Sequence, residues 1–298
     1  MDDPVRLSAA IGARHWRVGL EFALADDPLV RLEFHNLTPI HHAFAPMVRD
    51  QRYDMSELAI VSAAQAVAYG KPIVVLPMTL AARFHHGSLV GLRGVAPAEP
   101  EDLRGARIAV RAYSQTTGVW VRGLLAEEAG LGAADIHWLT LEDAHVGEYA
   151  DPPWCERVRG NHGLMDLLRT GGAAAAVFGN DLPPDADLVP VFNRPQDADR
   201  AWYNHNQLVP INHVLVVRRA VAQRHPEALR HLWEVLRAQR PLPSRGTIAA
   251  DMAPFGISAM TRPVQRLLDL CAQQRLLPRA LSVEELFADA RALLGPAA

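Results

Sequence analysis

Residues 101–125 contain a run of polar side chains well suited to bind an anion. Alternating apolar residues over 107–111 predict a short buried strand, and apolar residues at helical spacing predict a helix that begins near Thr116 or Thr117. Unpaired N–H groups at a helix start favour a carboxylate or a phosphate. The candidate substrate contacts in this turn are four hydroxyls and one amide: Tyr113, Ser114, Gln115, Thr116 and Thr117.

Two roles are open for this turn. Ser114 or Thr117 could simply cap the helix, which is the commoner role of such residues. Four hydroxyls exceed what one cap needs, so ligand contact is the alternative. Trp120 and Arg122 follow on the same helix, and at this spacing only one of them can face a ligand. We include Trp120 among the candidate contacts, although a core position is commoner for tryptophan.

Two adjacent histidines, His85 and His86, follow a predicted strand and precede Gly87, a place where loops often enter a cleft. Neighbouring side chains of an extended segment point to opposite faces, so at most one of them faces a ligand. Histidine titrates near neutral pH and suits general-acid chemistry. We expect His86 to be a proton donor, with Arg83 or His85 contacting an anion; ordinary surface or core positions are the alternative.

A carboxylate and a third histidine lie beside other predicted strands. Glu57 comes just ahead of an apolar strand, where it could orient a histidine, hold a ring hydroxyl, or merely begin the strand in solvent. His213 precedes the predicted strand 214–217. It could bind a substrate or satisfy a backbone carbonyl.

The loop over 141–154 places His145 among carboxylates, and His145 is a further candidate substrate contact. Imidazole and carboxylate ligands suit zinc, manganese or iron, so His85, His86 and His145 are candidate metal ligands. No paired-histidine motif on a helix supports this set. We therefore expect no required cofactor, and a divalent metal stays the alternative.

Strand and helix signals alternate along the chain, which predicts an α/β fold with largely parallel sheets covered on both faces. The pattern restarts at Arg107, which indicates a second lobe. Connector-like residues at 96–102 and 190–202 place the first lobe at 1–95 plus 200–298 and the second at 96–199, with a ligand cleft between them. The predicted strands are 5–11, 29–34, 58–61, 73–76, 107–111, 136–139 and 214–217; the principal predicted helices are 16–24, 40–49, 117–129 and 164–169.

Composition excludes several classes of protein. The 298 residues carry a net charge of −3 without a basic cluster, so nucleic acid is not an expected partner. No apolar run approaches the ~18 residues of a membrane span, so we expect no membrane partner. Two cysteines without metal spacing predict no disulfide framework. The start shows no export signal, which predicts a cytoplasmic protein. Whether copies form a homo-oligomer is open.

Four segments together resemble one family: residues 100–125, MSEL at 55–58, RFHHG at 83–87 and PINHVLVVRR at 210–219. They are similar to the 4,5-dihydroxyphthalate decarboxylase family, within the type II periplasmic-binding-protein-like fold. That family more often shows R-H-S where this chain has His85, His86 and Gly87. The resemblance covers His213 and favours a functional role for it.

The resemblance implies a decarboxylase acting on a hydroxylated aromatic carboxylic acid. Its general acid would protonate the ring carbon that bears the carboxylate, and its ligand would be a small aromatic or aliphatic carboxylate. The alternative on the same fold is a solute-binding protein or ligand sensor for a small carboxylate.

Overall fold

The computed structural model describes residues 3–160, 162–179, 182–242 and 248–298. These residues divide into two compact units, each with a β-sheet of its own. Unit 1 comprises the described residues of 1–83, 211–268 and 277–298; unit 2 comprises those of 84–210 and 269–276.

Strands and helices alternate through both units. The strands are β1 (Val5–Ala10), β2 (Val30–Phe34), β3 (Met55–Ala59), β4 (Ile73–Ala82), β5 (Leu89–Leu92), β6 (Arg107–Val110), β7 (His137–Thr140), β8 (Cys155–Arg157), β9 (Ala175–Val177), β10 (Leu188–Pro190) and β11 (Ile211–Arg218). The helices are α1 (Arg14–Ala23), α2 (Phe44–Asp50), α3 (Ile60–Ala68), α4 (Thr116–Glu128), α5 (Leu164–Arg169), α6 (Pro195–Asn206), α7 (Arg219–Arg224), α8 (Pro226–Ala238), α9 (Ile257–Gln273), α10 (Val283–Leu286) and α11 (Ala288–Leu294).

The sheet of unit 1 has the strand order β2-β1-β3-β11-β4. β1 is parallel to β2 and β3, whereas β11 is antiparallel to β3 and β4. Strands β1 to β4 therefore run in one direction, and their carboxyl ends lie at the edge where β11 begins. Ligand sites of open α/β sheets characteristically lie at this edge.

One hydrophobic core supports the sheet of unit 1. Leu215 and Val217 pack with Leu20 of α1 and Trp233 of α8. α1 and α8 carry apolar residues at the helical period and bury that stripe, while their polar faces stay exposed. The sequence pattern thus fixes which face of each helix meets the sheet.

The sheet of unit 2 has the strand order β10-β5-β9-β6-β7-β8. Strands β6 to β9 are mutually parallel, and β5 is antiparallel to β9 and β10. Val90, Ala109 and Leu139 form part of its core. The α/β fold expected from the sequence is confirmed.

Two predicted elements were wrong. The strand expected over 58–61 ends at Ala59, and α3 begins at Ile60. Both β3 and α3 are almost wholly buried, and periodicity does not distinguish a short buried strand from a buried helix. The connector expected over 190–202 contains the start of α6, whose first residue is Pro195; proline is favoured at that position because its missing N–H has no helical partner there.

The division of the chain also differs from the expected boundaries. β5 lies before residue 96, yet it hydrogen-bonds to β9 and β10 and so belongs to unit 2. The chain leaves unit 1 after Arg83 and returns at Ile211. A short segment, 269–276, belongs to unit 2 although the residues on both sides of it belong to unit 1. Among the described helices, none is long and apolar enough to span a membrane.

Candidate functional site

Glu57 and His213 form a hydrogen-bonded pair in unit 1. Oε1 of Glu57 lies 2.6 Å from Nδ1 of His213. The two residues occupy neighbouring strands, β3 and β11, where His213 is aligned with Ala59 and Leu215 with Glu57. Residues two apart on a strand share a face, so this register places both side chains on the same side of the sheet.

The carboxylate of Glu57 is fixed by backbone as well as by the histidine. Its Oε2 accepts hydrogen bonds of 2.9 Å from the N–H groups of Gly12 and Ala13, where the chain passes from β1 into α1. Burial raises the pKa of this carboxyl, but the hydrogen bonds from His213 and the two N–H groups outweigh burial and hold the pKa of Glu57 below its ordinary value. Glu57 is therefore ionised at neutral pH.

An ionised carboxylate only accepts hydrogen bonds, so the proton of this contact belongs to Nδ1 of His213. Nε2, the other ring nitrogen, is then the one available to a ligand. The His213 side chain is 22% exposed, whereas Glu57 is 3% exposed. Phe44 of α2 packs edge-on against the imidazole at 5.2 Å between ring centroids. The pair thus presents an oriented histidine at the carboxyl edge of the sheet.

His86 has a different environment, in unit 2. Its Nδ1 lies 2.5 Å from Oδ1 of Asp199, and its Nε2 lies 2.8 Å from Oε1 of Glu128. The side chain is 1% exposed. Burial lowers the pKa of this imidazole, but hydrogen bonds and charge interactions with the two carboxylates raise it to about 9. His86 is a buried imidazolium with both nitrogens engaged, and this geometry argues against the proton-donor role expected from the sequence.

His85, the neighbour of His86, is also buried. Its ring stacks on Trp120 of α4, with 6.5 Å between the ring centroids and 9° between the planes. Trp120 is itself buried and contacts Trp202 edge-on. These two expected contact residues therefore belong to the interior of unit 2. Arg83 is half-buried at the end of unit 1.

The helix start expected in the polar turn is confirmed, because α4 begins at Thr116. The N-cap is Gln115, whose side chain makes no capping hydrogen bond, so neither Ser114 nor Thr117 is the cap. Ser114, Thr116 and Thr117 are all buried. The turn is formed as expected, and its part in ligand binding stays a prediction.

Both the hydroxyl and the ring of Tyr113 contact other residues of unit 2. Its hydroxyl donates to the backbone O of Gln274 at 3.2 Å and accepts from Nε1 of Trp154 at 2.9 Å. The guanidinium of Arg122 lies over its ring, 3.9 Å from the centroid. Since Tyr113 is also buried, this arrangement supports a structural role rather than substrate contact.

Among the described residues, no three or more His, Cys, Asp or Glu side chains form a group that could hold a metal ion. His145 is half-buried in the loop before β8. The set of His85, His86 and His145 therefore does not form a metal site in the structure. His86 also has both ring nitrogens engaged by carboxylates, which leaves none for a metal.

The sequence analysis missed several of the partners of these residues. Asp199 lies 113 residues from His86 and falls in the segment interpreted as a connector. Gln274 accepts from Nε of Arg122 at 2.6 Å across 152 residues. For Asp199, a signal was present: proline at a helix start predicts α6.

The two α/β units and their strand orders define the type II periplasmic-binding-protein-like fold. The alkanesulfonate-binding protein SsuA from Xanthomonas axonopodis pv. citri, bound to MOPS, is similar with a TM-score of 0.61 and 14% identity, over 96% of this chain and 99% of that one. A cysteine-to-serine mutant of the desulfurization enzyme DSZB, in complex with biphenyl-2-sulfinic acid, has a TM-score of 0.52 and 13% identity, over 96% of this chain and 99% of that one. These likenesses establish the fold.

Two curated proteins confirm the sequence resemblance. A 4,5-dihydroxyphthalate decarboxylase from Comamonas testosteroni is 32% identical over 196 residues, 60% of this chain and 58% of that protein. Another protein of the same name, from Pseudomonas putida, is 37% identical over 94 residues, 30% of this chain and 36% of that protein. The chain thus spans less than two thirds of the length of either relative. No protein-family model matches it.

Proposed function

We propose that the protein is a decarboxylase of a hydroxylated aromatic carboxylic acid similar to 4,5-dihydroxyphthalate. The similarity to two proteins named for that activity supports the reaction class. The observation that carries the proposal is the contact between Glu57 and His213. It provides an oriented, partly exposed proton donor where α/β sheets place their ligands.

The proposed reaction begins when protonated His213 donates from Nε2 to the ring carbon that bears the carboxylate. A hydroxyl para to that carbon supplies electron density and stabilises the cationic ring. The bond from the ring carbon to the carboxylate then breaks, its electron pair returns to the ring, and CO2 leaves. His213 regains a proton from water. The reaction consumes one proton per CO2 and is redox-neutral, so the chemistry itself requires no redox cofactor.

In this scheme Glu57 orients the ring of His213 and stabilises its protonated, positively charged form. It holds Nδ1, which fixes the ring so that the Nε2 proton is the one transferred, and its negative charge stabilises the imidazolium that donates. A positioned general acid contributes about 10²–10⁴-fold to a rate. The role assigned from sequence to His86 is proposed instead for His213, because both nitrogens of His86 are bound by carboxylates.

The test is CO2 release by the purified protein offered 4,5-dihydroxyphthalate and a panel of hydroxybenzoates. Metal-stripped and metal-supplemented samples are assayed side by side, which measures metal dependence directly. We expect release from an acid with a para hydroxyl, and release without added metal. A rise in Tm with one of the acids and no CO2 from any of them would contradict the proposal and indicate a carboxylate-binding protein.

A further inference from the structure

A cavity of about 390 Å³ lies within unit 1. Its volume is in the range of roughly 300–1,000 Å³ that is usual for small-molecule sites. Apolar side chains of Trp16, Leu80 and Met252 line part of it. Such walls suit the faces of an aromatic ring.

Two of the lining residues join the cavity to the candidate site. Ala13 lines the cavity, and its N–H donates to the Glu57 carboxylate. Ala81 also lines it and is the cross-strand neighbour of His213 in the pairing of β11 with β4. Glu57 and His213 do not line the cavity themselves, but each is bonded to or paired with a residue that does.

Arg14 is the arginine among the lining residues. It is exposed, and among the described residues its guanidinium has no hydrogen bond or ion pair. A guanidinium binds a carboxylate through two parallel N–H···O bonds, which makes arginine the usual recognition group for a carboxylate of fixed orientation. Its charge is not neutralised by a carboxylate of the described residues, so it can be neutralised by a ligand.

We infer that Arg14 is the residue that binds the second carboxylate of a phthalate-like substrate and so distinguishes it from a monocarboxylate. The inference rests on the proposed function: one carboxylate leaves at His213, and the other is held by Arg14. The aromatic ring lies in the cavity between them. Arg14 is thus a specificity-determining residue that takes no part in proton transfer.

The experiment measures the Kd of phthalate and of benzoate by calorimetry for the wild type and three variants. Arg14→Gln removes the charge, and Arg14→Lys keeps it but loses the two-point geometry. Arg17→Gln is the matched control, because Arg17 lies on the same helix and pairs with Glu21. Far-UV circular dichroism and Tm confirm that each variant is folded.

We expect the wild type to bind phthalate more tightly than benzoate. Arg14→Gln should weaken phthalate binding at least about tenfold and benzoate binding less than about threefold, since a charge-assisted pair is lost only for the diacid. The Kd of Arg14→Lys for phthalate should lie between those of the wild type and Arg14→Gln. The Kd of Arg17→Gln for phthalate should match that of the wild type. The inference is overturned if the wild type does not bind phthalate, or if Arg14→Gln binds it as the wild type does.

The outcomes separate this inference from the proposed activity. Arg14-dependent phthalate binding without CO2 release from any acid would support the role of Arg14 in binding a dicarboxylate and contradict the proposed decarboxylase activity. CO2 release with an unchanged KM in Arg14→Gln would keep the decarboxylase and remove the role of Arg14.

Discussion

Oε1 of Glu57 lies 2.6 Å from Nδ1 of His213, although 156 residues separate the two in the sequence. The pairing of β3 with β11 brings them together, and the backbone of residues 12 and 13 holds the second carboxylate oxygen. The carboxylate is therefore fixed from two directions. Any rotation of the histidine away from it would leave a buried carboxylate oxygen without its partner, which is costly.

Replacing Glu57 by glutamine should lower kcat without unfolding the protein. The amide oxygen can still accept hydrogen bonds from the backbone N–H groups of residues 12 and 13. The substitution removes the negative charge that stabilises the imidazolium of His213. The amide N–H can also donate to Nδ1, which favours the neutral tautomer of His213 with its proton on Nε2. We expect kcat for CO2 release to fall about 10²-fold or more. Glu33→Gln on β2 is the control, because Glu33 is an exposed partner of Arg6. Wild-type kcat in Glu57→Gln would exclude the orienting role.

His213→Gln should abolish turnover while preserving ligand binding. Glutamine cannot supply a proton at Nε2, so we expect kcat to fall at least about 10²-fold. Binding of a non-reactive acid should change by less than about tenfold, or ~1.4 kcal/mol. His231→Gln serves as the control, since His231 pairs with Asp27 away from this site. A variant with unchanged kcat would remove His213 from the mechanism.

The stability of unit 2 should fall as the pH rises toward 9. The pKa of His86 is about 9 in the folded protein, against an ordinary value of 6.5. The folded state therefore binds this proton more tightly, and the stabilisation is fully present below pH 6.5 and lost as the pH rises through 9. It amounts to at most about 3 kcal/mol. Thermal melts between pH 6 and 9.5 measure this loss.

Thermal melts of two variants over the same pH range test whether His86 causes this loss of stability. His86→Gln should lower Tm at pH 6.5 and flatten the pH dependence, whereas His162→Gln, an exposed position in unit 2, should leave the slope unchanged. Below its melting temperature, His86→Gln should retain kcat within about tenfold of the wild type. A complete loss of turnover in a folded His86→Gln sample would return the proton-donor role to His86.

Gln274→Ala should destabilise the protein by about 2–6 kcal/mol. The buried side chain accepts from Nε of Arg122 at 2.6 Å and donates to the backbone O of Val119 at 3.0 Å. Alanine leaves both buried groups without this partner, at about 1–3 kcal/mol each. Urea denaturation measures the change. Gln273→Ala, at the exposed neighbouring position, should cost less than about 0.5 kcal/mol.

Local patterns predicted the α/β alternation and the start of α4, because a helix or a strand shows its period within a few residues. They failed where the period was ambiguous, as in the buried run that ends β3 and begins α3. They also failed at α6, where the composition is polar and only Pro195 marked the helix start.

The sequence by itself determined the class of fold, the resemblance to decarboxylases, and a set of residues that includes Glu57, His86 and His213. Only the tertiary structure decided their roles. It paired His213 with Glu57 and buried His86 between two carboxylates, at separations of 156, 113 and 42 residues along the chain. Hydrogen-bond partners this far apart leave no periodic signal, because strand pairing and the packing of α4 and α6 bring them together.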